Sequence, residues 1–436
     1  MLDIRFIREN KDIVAAGAAK KRITFDVDAL LAVDDKRRAL MTSIENKKAE
    51  QNQVSDKVVK ASPEERQVLI ESMKTLKAGL QAEEEELKTV MHDWQLLMVQ
   101  VPNVPDISVP EGDTDAQNQE IRAVGEKTVF KNPDGSEFVP KSHIDLMLAL
   151  DMADFERGTK VAGFRGYFLK NDGARLNFAL WKYALDFFEK DANGQPNGSI
   201  PMIVPSLVNR QTLLGTGYLP QGEEDLYKTQ DGDYLAGTGE VATMSYYSEE
   251  IVDKAALPIK VLAFSPCFRR EAGSHGKDTK GLMRVHEFYK FEQVILCEAS
   301  HEQSVKYHEE VNANIERFVA SLGLPYHTVV NCGGDLGLGQ VKKYDTELWI
   351  PSENAYREIG SASYFHDFQS RRLNIRYRDD DGKLKFVHSL NSTAIPTPRA
   401  LISIIENNQN ADGSINVPEA LRPYMGKDII KAEPKA

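Results

Sequence analysis

Two helical hydrophobic repeats, set back to back near the N-terminus, constrain this chain most. Leu30, Val33, Arg37, Leu40, Ile44, Lys47, Gln51, Val54 and Val58 advance by alternating threes and fours. So do Leu69, Met73, Leu76, Leu80, Glu83, Leu87, Val90, Trp94 and Leu97. A period of about 3.5 residues keeps one seam turned toward a partner helix, as in a coiled coil. Between the runs lies Ala61-Ser62-Pro63-Glu64-Glu65. Ser62 suits an N-cap, Pro63 the first helical position and Glu65 the third, which makes a capping box. One helix ends and another begins within a few residues, so the runs are expected to fold back as an antiparallel hairpin over about 28–98. Arms of roughly 33–36 residues reach about 50 Å at about 1.5 Å per residue. Two helices have little core of their own, so the hairpin should project from the body.

Such a hairpin serves either as a dimerisation rod or as an arm that reaches a large partner. The two arms differ in charge. Residues 34–60 carry seven Lys/Arg against five Asp/Glu, and 62–98 carry four against eight. The first arm is the better match for a polyanion. Ahead of it, 1–22 reads as one short amphipathic helix with Leu2, Phe6 and Ile13 on a shared face, and with six basic against three acidic residues.

Residues 101–127 read as a linker, broken by Pro102, Pro105 and Pro110. From about 128 the pattern turns to mixed strands and helices. A helix near 175–190 leads into a strand at 200–204, stopped by Pro205. Apolar runs at 259–264, 291–297 and 384–390 read as buried strands. Strand and crossover helix do not alternate regularly, which favours an α+β fold with an antiparallel sheet flanked by helices.

Composition first argues against an RNA partner. The 436 residues hold 66 acidic and 54 basic side chains, a net charge of −12, whereas a protein that coats nucleic acid is usually basic. Three cysteines, Cys267, Cys297 and Cys332, form no CxxC pair and fit a reducing compartment. The opening residues lack the apolar core of a signal peptide, and no run approaches the length of a membrane span, so a cytoplasmic protein is expected. There is no GxxxxGK[ST], no GxGxxG after a strand and no HExxH.

Chemistry concentrates in two stretches. The first runs from Phe264 to Glu292 and reads as strand, long polar loop, strand. Alternation puts Arg269 and Glu271 on one face, and Arg284, His286, Phe288, Lys290 and Glu292 on another. Arginine forks suit phosphate oxygens, a carboxylate accepts from an amine, and a phenyl ring stacks on a base. These groups could hold a nucleoside triphosphate without a P-loop; the alternative is an exposed hairpin laced with salt bridges. The second stretch joins Tyr356–Ser363, Val387–Thr393 and Ala394–Asn407, where Pro396 and Pro398 fit the first turn of a helix and Arg399 lies near its N-terminus. A cation there gains nothing from the helix dipole, which points to a specific ligand or to an ion pair.

At these residues the chain resembles the bacterial-type seryl-tRNA synthetases, a class II aminoacyl-tRNA synthetase family, over essentially its whole length. The resemblance is carried by MLDIRFIREN, the heptad hairpin, LLGTGYLP, GTGEV, FRREAGSHGKDTKGLMRVHEF, YREIGSAS, FQSRRLNIRYRDDDGKLKFVHSLN and PEALRPYMG, in the family's order. It implies a class II catalytic domain at 128–436, a tRNA-binding domain at 1–100, and the 101–127 linker between them. It implies activation of L-serine with ATP to seryl-adenylate, then transfer to the 3′ end of serine tRNA, and of selenocysteine tRNA where that exists. Arg269, Glu271, Arg284 and Arg399 match the catalytic positions. These four, with Val285, Phe288, Glu358, Ile359 and Ser361, match the ATP site, and Glu358 and Ser361 the Mg²⁺ positions. Thr238, Glu240, Arg269, Glu292, Asn391 and Thr393 match the serine pocket. No cysteine falls there, so no zinc is expected. The helix and strand ending at Pro205 would form a homodimer interface, and the hairpin would reach the long variable arm of the tRNA.

Several positions depart from the family pattern. The usual Thr-Ala-Glu reads Thr238-Gly239-Glu240. The usual Ser-Ser-Cys-Ser-Asn reads Gly360-Ser361-Ala362-Ser363-Tyr364, and the usual Asn-Gly-Ser-Gly reads Asn391-Ser392-Thr393-Ala394. Gly239 leaves room near the serine pocket and Tyr364 adds bulk. Two other readings are a paralogue that loads serine onto a carrier, which would tend to lose the hairpin, and a non-catalytic relative, which would lose the arginines. Both features are present. The charge also reads differently when counted locally: 264–290 hold six basic against three acidic residues, and 370–399 seven against three. RNA would be confined to restricted basic patches, with an acidic remainder discouraging non-specific binding.

Overall fold

Helix Val27–Lys60 (α1) and helix Pro63–Met98 (α2) form the expected hairpin. The computed structural model describes residues 1–274, 276 and 278–432. Their contacts define two units: Met1–Ala19 with Ile23–Pro102, and Lys20–Arg22 with Asn103–Ala436.

In the first unit, every residue of both heptad seams is buried or half-buried. Three of the four polar seam residues find partners across the hairpin: Lys47 Nζ lies 3.0 Å from Glu83, which also accepts from Ser43 Oγ at 3.0 Å. The Arg37 guanidinium sits 4.8 Å over the Trp94 ring. Outside the seam, Lys36 pairs with Glu86 and Lys48 with Glu84. The capping box is present, with the Ser62 N–H donating to Glu65 Oε2 at 3.1 Å. The N-terminal segment differs from expectation. It forms two helices, Ile4–Glu9 and Lys11–Lys20, and Asn10 caps the first through Phe6 O. Its buried face is Ile7, Val14 and Ala18, while Phe6 and Ile13 are exposed. Both sets repeat by seven, and Arg8, next to Ile7, reaches the buried Asp34 at 2.8 Å.

The second unit is built on eight strands: β1 (Gln119–Val124), β2 (Ile200–Ile203), β3 (Ile259–Phe268), β4 (Glu287–Cys297), β5 (Tyr326–Val330), β6 (Lys342–Ile350), β7 (Ala355–His366) and β8 (His388–Thr397). They form one sheet in the order β1-β5-β6-β7-β8-β4-β3-β2, antiparallel throughout except for the β2–β3 pair. The proline-marked stretch 101–127 thus also carries an edge strand. Successive side chains of β3 enter different cores. Leu262 joins Leu176, Leu180, Phe318, Ile402 and their neighbours, drawn from helices Asn171–Phe188 (α3), His301–Ser321 (α5) and Arg399–Asn407 (α7). Val261 and Ala263 join Leu213, Tyr234, Val241 from helix Gly239–Tyr246 (α4) and Leu373 from helix Phe368–Leu373 (α6). Both faces are covered, which explains why β4 is buried over Lys290–Cys297 rather than alternating.

Two boundaries move. Pro396 belongs to β8, and α7 starts at Arg399 after Pro398. β4 starts at Glu287, so Arg284 and His286 precede the strand instead of sharing its face.

Candidate active site

The loop between β3 and β4 is closed at its neck by backbone bonds. The Arg269 N–H donates to His286 O at 2.9 Å, and the His286 imidazole Nδ1 lies 2.9 Å from Arg269 O. His275 and Lys277, in the middle of the loop motif, lie outside the described residues. Beyond the neck the Arg269 guanidinium lies 5.3 Å from the Phe288 ring and makes long 3.4 Å contacts to Gly237 O. Glu271, at φ +55°, accepts from Arg284 Nη1 at 2.6 Å. Arg399 donates from Nε to Met283 O at 2.9 Å and from Nη1 to Glu358 O at 2.8 Å. Three guanidinium groups therefore converge on one cleft of about 350 Å³.

Deeper in the cleft lies a buried polar pocket. Thr238 caps the N-terminus of α4, two residues before Glu240. The Lys290 ammonium contacts Glu292 and donates to Thr238 Oγ1 at 2.9 Å and to Thr393 Oγ1 at 3.4 Å. Glu240 is held at both oxygens, by the Tyr218 hydroxyl at 2.8 Å and by Gln369 Nε2 at 2.6 Å; Gln369 Oε1 in turn accepts from Ser389. Burial pushes the Glu240 carboxyl up to about 7, with Glu292 adding to the shift and the bonds from Gln369 and Tyr218 opposing it.

The cleft brings together every residue matched to the ATP site and the serine pocket: Arg269, Glu271, Arg284, Val285, Phe288, Glu358, Ile359, Ser361 and Arg399 toward the mouth, with Thr238, Glu240, Glu292, Asn391 and Thr393. His286 does not join them. It meets Phe164 and Tyr227 edge-on, with ring centroids at 6.5 and 6.3 Å. Lys290, which strand alternation groups with Phe288 and Glu292, joins the buried pocket. Tyr218 and Gln369 had no assigned role; they lie within LLGTGYLP and FQSRRLNIRYRDDDGKLKFVHSLN, but nothing local marks them as partners of Glu240.

The departures from the family pattern have physical explanations. Tyr364 is fully buried, donates its hydroxyl to Asp106 at 2.9 Å and does not line the cleft. Gly360 and Thr393 fit each other: a Cβ at 360 would lie 3.0 Å from Thr393 Cβ and 3.2 Å from its methyl. A serine at 360 would crowd the Thr393 Cβ first and its methyl next. A Cβ at Gly239 would lie 3.2 Å from Ser265 Oγ, so a glycine suits this neighbour. Cys267, Cys297 and Cys332 are buried and none lines the cleft. Among the described residues, no group of three or more His, Cys, Asp or Glu is placed to hold a metal ion.

The sheet and its arginine-lined cleft define the core of a class II aminoacyl-tRNA synthetase. Residues 227–408 match the tRNA synthetase class II core domain (G, H, P, S and T), and residues 1–105 match the seryl-tRNA synthetase N-terminal domain. The chain is 42% identical to the serine–tRNA ligase of Deinococcus radiodurans, covering 100% of each chain. It is likewise 42% identical to that of Clostridium tetani, over 99% of this chain and 100% of the relative. Seryl-tRNA synthetase from Pyrococcus horikoshii, solved with ATP, superposes with a TM-score of 0.91 at 35% identity over 100% of both chains. The cytoplasmic serine–tRNA ligase of Naegleria fowleri, solved with AMP, gives 0.86 at 34% identity, over 100% of this chain and 99% of that one. The chain belongs to the seryl-tRNA synthetase family, the serine–tRNA ligases.

Proposed function

We propose that the cleft activates L-serine with ATP and then loads the seryl group onto serine tRNA. The observation that carries this reading is the convergence of Arg269, Arg284 and Arg399 beside the buried Thr238–Lys290–Glu292–Glu240 pocket. In the first step the serine carboxylate attacks the α-phosphorus of ATP in line, and pyrophosphate leaves. That chemistry needs positioning and charge neutralisation more than a covalent catalyst. Arg269 takes the α-phosphate, and Arg284 the γ-phosphate once it leaves Glu271, which turns to the adenine amino group. The adenine ring lies between Phe288 and Arg399. In the second step a terminal ribose hydroxyl of the tRNA attacks the seryl carbonyl and AMP leaves. The oxygens of Glu358 and Ser361 line the cleft and are hard donors that suit Mg²⁺, which when bound supplies further neutralisation of phosphate charge.

Glu240 and Glu292 receive the serine ammonium, and Thr393 with Asn391 meets its hydroxyl. A buried site that hydrogen-bonds a hydroxyl rejects alanine strongly, because its polar groups would be left unpaired. Purified protein should exchange labelled pyrophosphate into ATP with serine and not with alanine or threonine; equal exchange with all three would remove the specificity reading. The same assay carries a pH signature. Below about 7 the Glu240 carboxyl takes up a proton, becomes neutral and loses its attraction for an ammonium. The serine KM should therefore rise about tenfold per pH unit on the acid side, and Glu240→Gln should flatten that limb while raising KM at pH 8. A limb unchanged in Glu240→Gln would assign it to another group.

The hairpin reaches the variable arm of the tRNA. Three lysines of its first arm are paired with the Glu83–Glu86 run, but Arg38, Lys57 and Lys60 carry no ion pair among the described residues and are available to phosphates. Two copies associate through α3 and β2, where Phe178 is 66% and Ile203 86% exposed. Sedimentation at micromolar concentration should give a dimer, and Ile203→Asp should shift it toward monomer. A cytoplasmic location goes with this role, and among the described residues no helix is long and apolar enough to cross a membrane.

A further inference from the structure

Behind the cleft lies a buried histidine–carboxylate pair for which the activation chemistry has no use. His143, at the start of helix His143–Ala149, is 5% exposed, and Glu406, near the end of α7, is 0% exposed. One Glu406 oxygen, Oε1, lies 2.9 Å from His143 Nδ1 and accepts the His143 backbone N–H at 2.8 Å. The other accepts the Ser352 N–H at 3.0 Å. With Nδ1–H directed to a carboxylate, Nε2 is left as the acceptor of the ring. It takes the backbone N–H of Leu282 at 3.2 Å.

Leu282 opens the run Leu282-Met283-Arg284, which lines the mouth of the cleft. The residue before it, Gly281, has φ +74°, and a Cβ there would fall 2.3 Å from His143 Nε2 and 2.9 Å from Ile144. The next residue closes the circuit. Met283 O accepts from Arg399 Nε at 2.9 Å, and Arg399 begins the helix that carries Glu406. The returning limb of the loop is thus tied to both ends of one helix, through Glu406–His143 at one end and Arg399 at the other.

We propose that His143 and Glu406 are positioning residues for the nucleotide. They hold Leu282 so that Arg284 and Arg399 stand at a fixed separation when the phosphates and the adenine arrive. The proposal rests on the reading above, that this limb receives ATP. The serine pocket is built on α4, β4 and β8 and owes nothing to this tie. A purely structural role for the pair would lower stability and affect both substrates alike.

The test is serine-dependent pyrophosphate exchange by the full-length protein, with ATP and serine varied separately. In His143→Leu the buried Leu282 N–H loses its acceptor, and in Gly281→Ala the limb is pushed off the imidazole. Both should raise the ATP KM by about tenfold or more, while the serine KM stays within about twofold. Glutamine keeps an acceptor within reach of Leu282, so His143→Gln should recover most of the loss. Gly281→Ala and His143→Gln decide the matter even if His143→Leu fails to fold. An unchanged ATP KM, a parallel rise in both KM values, or a glutamine variant no better than leucine would overturn the proposal. Absence of serine-dependent exchange in the unaltered protein would count against the parent reading instead.

Discussion

Arg269→Ala should lower serine-dependent pyrophosphate exchange by about a thousandfold or more, the scale seen when a preorganised charge is removed from a reacting centre. The three arginines are not equivalent. Arg284 is already matched to Glu271, and Arg399 holds two backbone oxygens, of Met283 and Glu358. Removing either would alter the loop or the helix start as well as the charge. Among the described residues the Arg269 guanidinium meets the Phe288 ring and makes two 3.4 Å contacts to one carbonyl, with no close carboxylate partner. Its loss should therefore fall on activity, with thermal stability little changed. Arg269→Lys should recover little, because an ammonium cannot reproduce a bidentate contact to phosphate. Initial rates of exchange and a melting curve for both variants check this; a loss of less than about tenfold would remove Arg269 from the reacting centre.

Excising the outer part of the hairpin should separate the two half-reactions. Lys47 faces Glu83 and Arg37 faces Trp94, so residues 40 and 91 stand opposite each other across the hairpin. Replacing 40–91 by a short glycine-rich turn would keep the Arg37–Trp94 layer and remove the tip. The second unit, which contains the whole cleft, is untouched. Serine activation should stay within about twofold of the full chain, while aminoacylation of serine tRNA falls by at least about a hundredfold, as expected when remote binding energy is lost. Equal loss in both assays would make the hairpin a structural element of the active enzyme. A shortened protein that still charged tRNA at full rate would remove the hairpin from tRNA recognition.

The hairpin was readable in the sequence because a helical seam is a local property. Each of its positions is set by residues three and four away, and the capping box marks the reversal within five residues. The cleft was readable for a different reason: the family motifs preserve side-chain order, and order was sufficient to name residues that meet only after folding. What escaped depends on pairing between distant segments. Arg284 and His286 precede a strand that begins later than alternation suggested, and β8 meets β4 with a register shift at Phe291/Glu292. Tyr218 and Gln369 reach Glu240 from positions 22 and 129 residues away in sequence. The N-terminal helices show the same limit on a small scale. Two apolar faces with the same period were available, and which one turned inward depends on contacts with distant residues, among them the Arg8–Asp34 pair to α1.

The contact between Gly360 and Thr393 has a consequence for how this protein could change over generations. A side chain added at 360 would meet Thr393 Cβ at 3.0 Å, its methyl at 3.2 Å and its carbonyl oxygen at 3.3 Å. Two of those three atoms would remain if 393 became serine, so trimming the threonine alone does not make room. A lineage that acquires a side chain at 360 must also move β7 against β8, so this glycine should be inherited more strictly than the threonine opposite it.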